Sequence, residues 1–257
     1  MDDFEKLHWA ARIDHAKFPF LLLVFEWSDK RQHIGMYQRD MPDLRSAFVN
    51  REQTPHKGQD HIVRVDAMPG LRLAAACEGL ANAVYAACDI AAMFAHRASK
   101  RLFAGSFNGI RGQIAKGIVN ADEWFGGAAN LKWYARVREL RTEWTHHSTV
   151  FIGGPDTCGE PQIVVKPLRR QSDRVVLPER ALLRVQDLLD WSAQAIRVVD
   201  RFGLAVYLRY VLPQLNLDDA IWDLVRDEQG FPLLEDNRVQ TSQTTIRDYL
   251  WRAGFEV

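Results

Sequence analysis

Apolar positions recur at helical spacing from about one quarter of the way along the chain. Between Leu71 and Lys100 there is no proline and one internal glycine, and Leu73, Cys77, Leu80, Val84, Cys88, Ala91 and Ala95 fall on one stripe. So many alanines on that stripe allow neighbouring helices to approach closely, as in the interior of a bundle. A shorter helix is predicted over 110–120. Another is predicted between the glycine pairs 126–127 and 153–154, which serve to terminate it, with Trp133, Val137, Leu140 and Trp144 as its apolar face. Pro178, acceptable in a first helical turn, opens a further long helix whose buried face is Leu182, Val185, Leu189, Ser192, Ile196 and Val199. Gly203 breaks or kinks that helix, and Pro213 ends it.

Elsewhere the pattern differs. Residues 2–17 read as a short helix, and the apolar run Phe18 to Trp27 as a buried strand or extended segment. Pro42, Pro55 and Pro69, with Gly35 and Gly58, make residues 28–70 read mostly as loops, with a strand over His61 to Ala67. Ile163 to Val165 and Val175 to Val176 flank a polar turn and predict a β-hairpin between two helices. A short helix is predicted over 244–253. The fold class expected is mainly α: a bundle of four or five helices with an inserted β-hairpin. Its divisions are a mixed α/β N-terminal extension (1–70), the bundle (71–212) and a tail with a short helix (213–257).

Composition adds little. The formal net charge is zero, so there is no global sign of a nucleic-acid or membrane partner, although a local basic patch remains open. The acidic, polar start lacks the cationic and then apolar pattern of a signal peptide, and the longest apolar run is too short to span a membrane. Three cysteines without a CxxC, two of them too far apart along one helix to bond, favour a reduced, cytoplasmic protein. No glycine-rich phosphate loop, HExxH, GxSxG or paired-cysteine motif occurs, so no cofactor or metal is expected.

The densest chemistry is RELRTEWTHH, Arg138 to His147. One reading is structural: histidines in a last turn favour the helix dipole. Another starts from Arg141 and His146, separated by four residues, with His147 giving the five-residue variant. In RTEWTH the chain resembles the HEPN superfamily, helical bundles marked by an arginine followed after four to six residues by a histidine. The context agrees over about residues 70–212: an earlier Ala-rich helix carrying Glu78, then a variable insert and a long helix. The resemblance implies metal-independent RNA cleavage in a cleft shared by two copies, as in toxin or defence ribonucleases. It implies RNA, a second copy and an antitoxin or regulatory protein as partners, and a non-catalytic interaction protein of the same fold is the alternative.

In that scheme His146 moves a proton to or from the ribose 2′-oxygen or the leaving 5′-oxygen. Arg141 stabilises phosphate charge, and Glu78 orients the arginine. On an ideal helix at about 100° per residue, Arg141 and His146 point roughly 140° apart, whereas Arg138 and His146 are about 80° apart. Arg138 is therefore a second candidate for the phosphate, and Arg141 needs a distorted helix end or a dimer cleft. A di-metal reading uses Glu143 with His146, Glu5 with His8, and Glu78 and Glu179. Arg169, Arg170, Arg174, Arg180 and Arg184 read either as solvated surface or as a phosphate-contacting rim.

Overall fold

The architecture is taken from a computed structural model, which describes residues 2–13, 18–52, 68–144, 148–155, 158–167, 180–225, 232–235 and 238–257. The chain is mainly helical. In order, it has α1 (Asp3–Ala10), α2 (Leu22–Glu52), α3 (Met68–Ala98), α4 (Phe107–Ala115), α5 (Ala121–Phe125) and α6 (Lys132–Thr142), then β1 (Ser148–Pro155), β2 (Pro161–Pro167) and β3 (Arg180–Arg184). After these come α7 (Val185–Val206), β4 (Ala220–Leu224), β5 (Leu234–Glu235), β6 (Arg238–Val239), β7 (Thr241–Thr245) and α8 (Ile246–Arg252).

Helix α3 is the hub, packed against α2, α6 and α7. The whole predicted stripe from Leu73 to Ala95 is buried, and small residues let the neighbours close in. By length and composition α3 would also suffice to cross a membrane, but its apolar face is taken up by this core. Cys77 and Cys88 lie free in it, and burial pushes the Cys77 thiol up to about 12.

The stretch expected to be a strand and then loops is instead helical where it is described. Phe18 to Trp27 enters through a single 3-10 turn into α2, which continues to Glu52. Trp27, Ile34, Met41 and Phe48, each seven residues after the last, bury a single narrow seam against α3. Pro42 sits on the exposed side of α2, and Pro69 falls in the first turn of α3, where its missing N–H has no helical partner to lose. Pro69 is therefore no obstacle to α3, whereas α2 runs on through Pro42 despite the backbone hydrogen bond that proline cannot donate. The predicted strand His61 to Ala67 lies outside the described residues.

A second heptad series on α2 is polar and reaches toward α7. Arg31 pairs with Asp200 at 3.1 Å, Gln38 donates to Ser192 Oγ at 2.7 Å, and Arg45 pairs with Glu160. Glu160, in the turn between β1 and β2, also accepts the Gln186 amide at 3.1 Å, so a carboxylate caps the first turn of α7. Long polar side chains thus fasten α7 at three heights along α2.

The inserted hairpin is present as β1–β2, antiparallel with Val150 opposite Val165 and Ile152 opposite Ile163, and β3 extends it to three strands. Three boundaries differ from expectation. Gly153 and Gly154 lie within β1 and do not end a helix, whereas Gly126 does cap α5 in a left-handed conformation. Arg180–Arg184, expected to be helical after Pro178, is a strand from which Leu182 packs part-buried against the core, and α7 begins at Val185. Helix α7 continues through Gly203 and widens into a π-helical segment, Tyr207–Val211, before Pro213. The tail folds back on the bundle: Tyr249 packs on Trp9 and Phe255 on Tyr207.

Gly35, on the exposed face of α2, has nothing within 4 Å of where a Cβ would stand. Gly35→Ala should raise stability by about 1 kcal/mol, since glycine in a helix interior carries that much backbone entropy. A rise in the urea midpoint with an unchanged slope would confirm it.

Candidate functional site

The sequence of α6, KWYARVRELRT, sorts its residues by face. Trp133, Tyr134, Val137 and Leu140 are buried, while Arg136 and Glu139 pair at 3.0 Å on the solvent side. Between these faces runs the stripe Tyr134, Arg138 and Arg141, at helical spacing of four and then three. It borders α4 on one side and α3 on the other. Phe107, whose amide donates to Asp89 at 3.0 Å, sits 4.9 Å from the Tyr134 ring, whereas Arg141 lies over Tyr85. Advancing along α6 therefore moves back along α3, toward the end that carries Glu78.

Both expected arginines are on this stripe. Arg138 donates from Nη1 to Asn108 Oδ1 at 3.0 Å, and the Thr142 hydroxyl donates to the Arg138 carbonyl at 2.9 Å. The Arg141 guanidinium lies 4.3 Å from the centre of the Tyr85 ring. Tyr85 stacks on Tyr134 with centroids 5.8 Å apart, and Arg111 covers Tyr134 at 5.4 Å. The result is a layer of cation, ring, ring and cation across three helices. Burial pushes the Tyr134 phenol well above its ordinary range, so it stays neutral.

Other expected site residues fare differently. Glu78 stands exposed on α3, two helical turns before Tyr85; the residues that orient the arginines are Asn108 and Tyr85. His146 and His147 lie outside the described residues, as do Glu179 and Arg169, Arg170 and Arg174. Arg184 is exposed at the end of β3. Just before the histidines, the helix changes to π-type bonding at Glu143 and Trp144. Of the second Glu-x-x-His pair, Glu5 accepts the Asp2 amide at 2.8 Å in a capping box, and His8 sits between Phe4 and Phe25. Burial, with Arg12 nearby, holds His8 below its ordinary value. Among the described residues no three His, Cys, Asp or Glu side chains gather in a way that would hold a metal ion.

Asn108, Arg111, Tyr85 and Tyr134 were not singled out from the sequence. One signal was available. Residues 90–121 contain no acid but carry Arg97, Lys100, Arg101, Arg111 and Lys116, within a chain of zero net charge. The fold lays the α4 part of this tract against the arginine stripe of α6. Compared with known proteins, the chain matches no family model, no curated protein and no solved structure.

Proposed function

We propose that the protein binds RNA and cleaves it without metal, in a cleft completed by a second copy. The observation that carries this reading is the stripe of Arg138 and Arg141 on α6, joined by Arg111 from α4. Guanidinium groups held by an amide and by aromatic faces are ordered in advance, which suits them to phosphate. His146 takes the proton of the ribose 2′-hydroxyl. The 2′-oxygen then attacks phosphorus, the bond to the 5′-oxygen breaks, and that oxygen leaves with the proton His146 gives back to it, beside a cyclic phosphate. Arg141 or Arg138 offsets the charge that builds on the phosphoryl oxygens. A turn with i→i+5 bonding, of the kind at Glu143 and Trp144, brings residues five apart toward one face. This favours joint action by Arg141 and His146.

Purified protein in excess chelator should cleave RNA to cyclic-phosphate ends. His146→Ala should abolish cleavage while leaving the thermal melt unchanged. Intact RNA across pH and salt would rule the reading out.

A second reading is favoured by the partners the arginines already have. Arg138 on Asn108 and Arg141 on Tyr85 also suit a non-catalytic interaction protein, in which the stripe serves architecture or a partner. Wild type and His146→Ala equally inert toward RNA, with self-association lost in Arg141→Ala, would support it.

A further inference from the structure

Two turns at one end of the bundle are tied to the same residue. Gln113 of α4 donates from Nε2 to the Leu102 carbonyl at 3.0 Å and accepts the Ala104 amide at 2.8 Å. Its own carbonyl accepts the Ile118 amide at 2.9 Å. The turn after α3 (99–103) and the turn after α4 (116–119) are thereby held side by side. Each presents an aliphatic side chain to solvent: Leu102 is 46% exposed and Ile118 58%. Each also carries cations, Lys100 and Arg101 in the first and Lys116 in the second, all exposed. Among the described residues, none of the three forms an ion pair.

The first turn is strained. Lys100 and Arg101 have φ of 54° and 78°, in the left-handed region that disfavours residues with a Cβ. The second turn solves the same problem with Gly117, at φ 69°. Backbone strain of this kind persists where the surroundings over-determine it, and it concentrates at functional positions. Here the arrangement is fixed by the Arg101 amide on the His96 carbonyl at 2.8 Å and by His96 Nδ1 with the Phe103 carbonyl at 2.7 Å. Two long cations are kept where glycine would relax the chain.

We propose that these paired turns dock on an anionic lipid surface. Leu102 and Ile118 enter the acyl boundary, and Lys100, Arg101 and Lys116 meet the headgroup phosphates. Exposed turns that join aliphatic side chains to cations suit an anionic bilayer, whose boundary takes up the apolar groups while its headgroups meet the charges. Single-stranded RNA would be better served by exposed rings, and the one aromatic residue of these turns, Phe103, is fully buried. The chain has zero net charge overall, and these turns concentrate cations locally, with no acid between residues 90 and 121. The proposal is independent of the arginine stripe and of His146.

Flotation of the full chain with vesicles tests it. Binding is expected to phosphatidylcholine mixed with phosphatidylglycerol, absent with phosphatidylcholine alone, and weakened by salt. Reversing Lys100, Arg101 and Lys116 to glutamate should weaken binding by about fivefold or more per cation. Leu102→Ser with Ile118→Ser should weaken it by about tenfold or more while leaving RNA cleavage at the wild-type rate. Wild type that fails to float with anionic vesicles would overturn the proposal, as would both variants binding like wild type. So would loss of RNA binding on charge reversal in a protein that never floats, because the turns would then belong to a nucleic-acid path.

Discussion

Arg31→Met should destabilise the protein by about 1 kcal/mol more at pH 8 than at pH 5, because without its partner the buried Asp200 carboxyl must take up a proton in the fold. Asp200 is 4% exposed, with one oxygen 3.1 Å from Arg31 and the other, Oδ1, buried without a hydrogen-bond partner. Burial pushes its carboxyl up to about 7 against the pull of Arg31, and Asp2 and Asp3 add to the rise. The sign follows from linkage. A folded-state value above the ordinary 3.8 gives stability that is fully present below that value and is lost as pH rises through about 7. At about 1.36 kcal/mol per unit, the whole span is worth roughly 4 kcal/mol. Without Arg31 the charged form is worse still and Asp200 stays protonated to higher pH, so the deficit of Arg31→Met should be greater near pH 8 and should narrow near pH 5, where Asp200 is protonated in both proteins. A smaller loss at every pH reflects Arg31 over the Phe4 ring at 4.3 Å and its exposed pairing with Asp2. Urea titrations of wild type and variant at the two pH values give the measurement. Equal deficits at both would show that Asp200 is not the group responsible. Asp200→Asn, which keeps an acceptor for Arg31, should flatten the pH dependence of the wild type.

How legible this arrangement was depends on the kind of information each element carries. Helix α3 could be read residue by residue because its burial is one-sided and its stripe is apolar throughout. The same period runs through α2, but every second step of its inward face is Arg31, Gln38 or Arg45. An apolar count sees only a thin seam of Trp27, Ile34, Met41 and Phe48, broken by a proline. Those polar residues face inward because Asp200, Ser192 and Glu160 meet them, and pairings over more than a hundred residues leave no local trace. At the candidate site, Arg138 and Arg141 could be picked out from the motif. Asn108, Tyr85 and Tyr134 could not, because they become neighbours of α6 only when α3 and α4 pack beside it. Glu78 was chosen for its position on a preceding helix, a criterion that says nothing about which way an acid faces.

A close approach between α7 and α2 gives the other large expectation. A Cβ built on Gly203 of α7 would lie 2.4 Å from Trp27 Cη2 and 2.5 Å from Cζ3, with Leu7 Cδ2 at 3.1 Å. Trp27 is 1% exposed, and the Phe4 ring packs edge-on to it at 5.4 Å, so the indole has nowhere to retreat. Gly203→Ala should therefore destabilise by about 3 kcal/mol, the upper part of the range for overpacking. That loss comes despite a helix-propensity gain of about 1 kcal/mol for alanine. The cause can be separated from a general intolerance of α7 by a double-mutant cycle. Trp27→Leu alone opens a cavity and should cost about 3 kcal/mol by itself, as large-to-small core changes do. In the double variant the new methyl occupies space the indole has vacated. The combined loss should then fall short of the sum of the single losses by about 2 kcal/mol. Additive losses would mean that Gly203 is required for some reason other than Trp27. A coupled result would establish that a missing side chain on α7 sets how closely α1, α2 and α7 can approach.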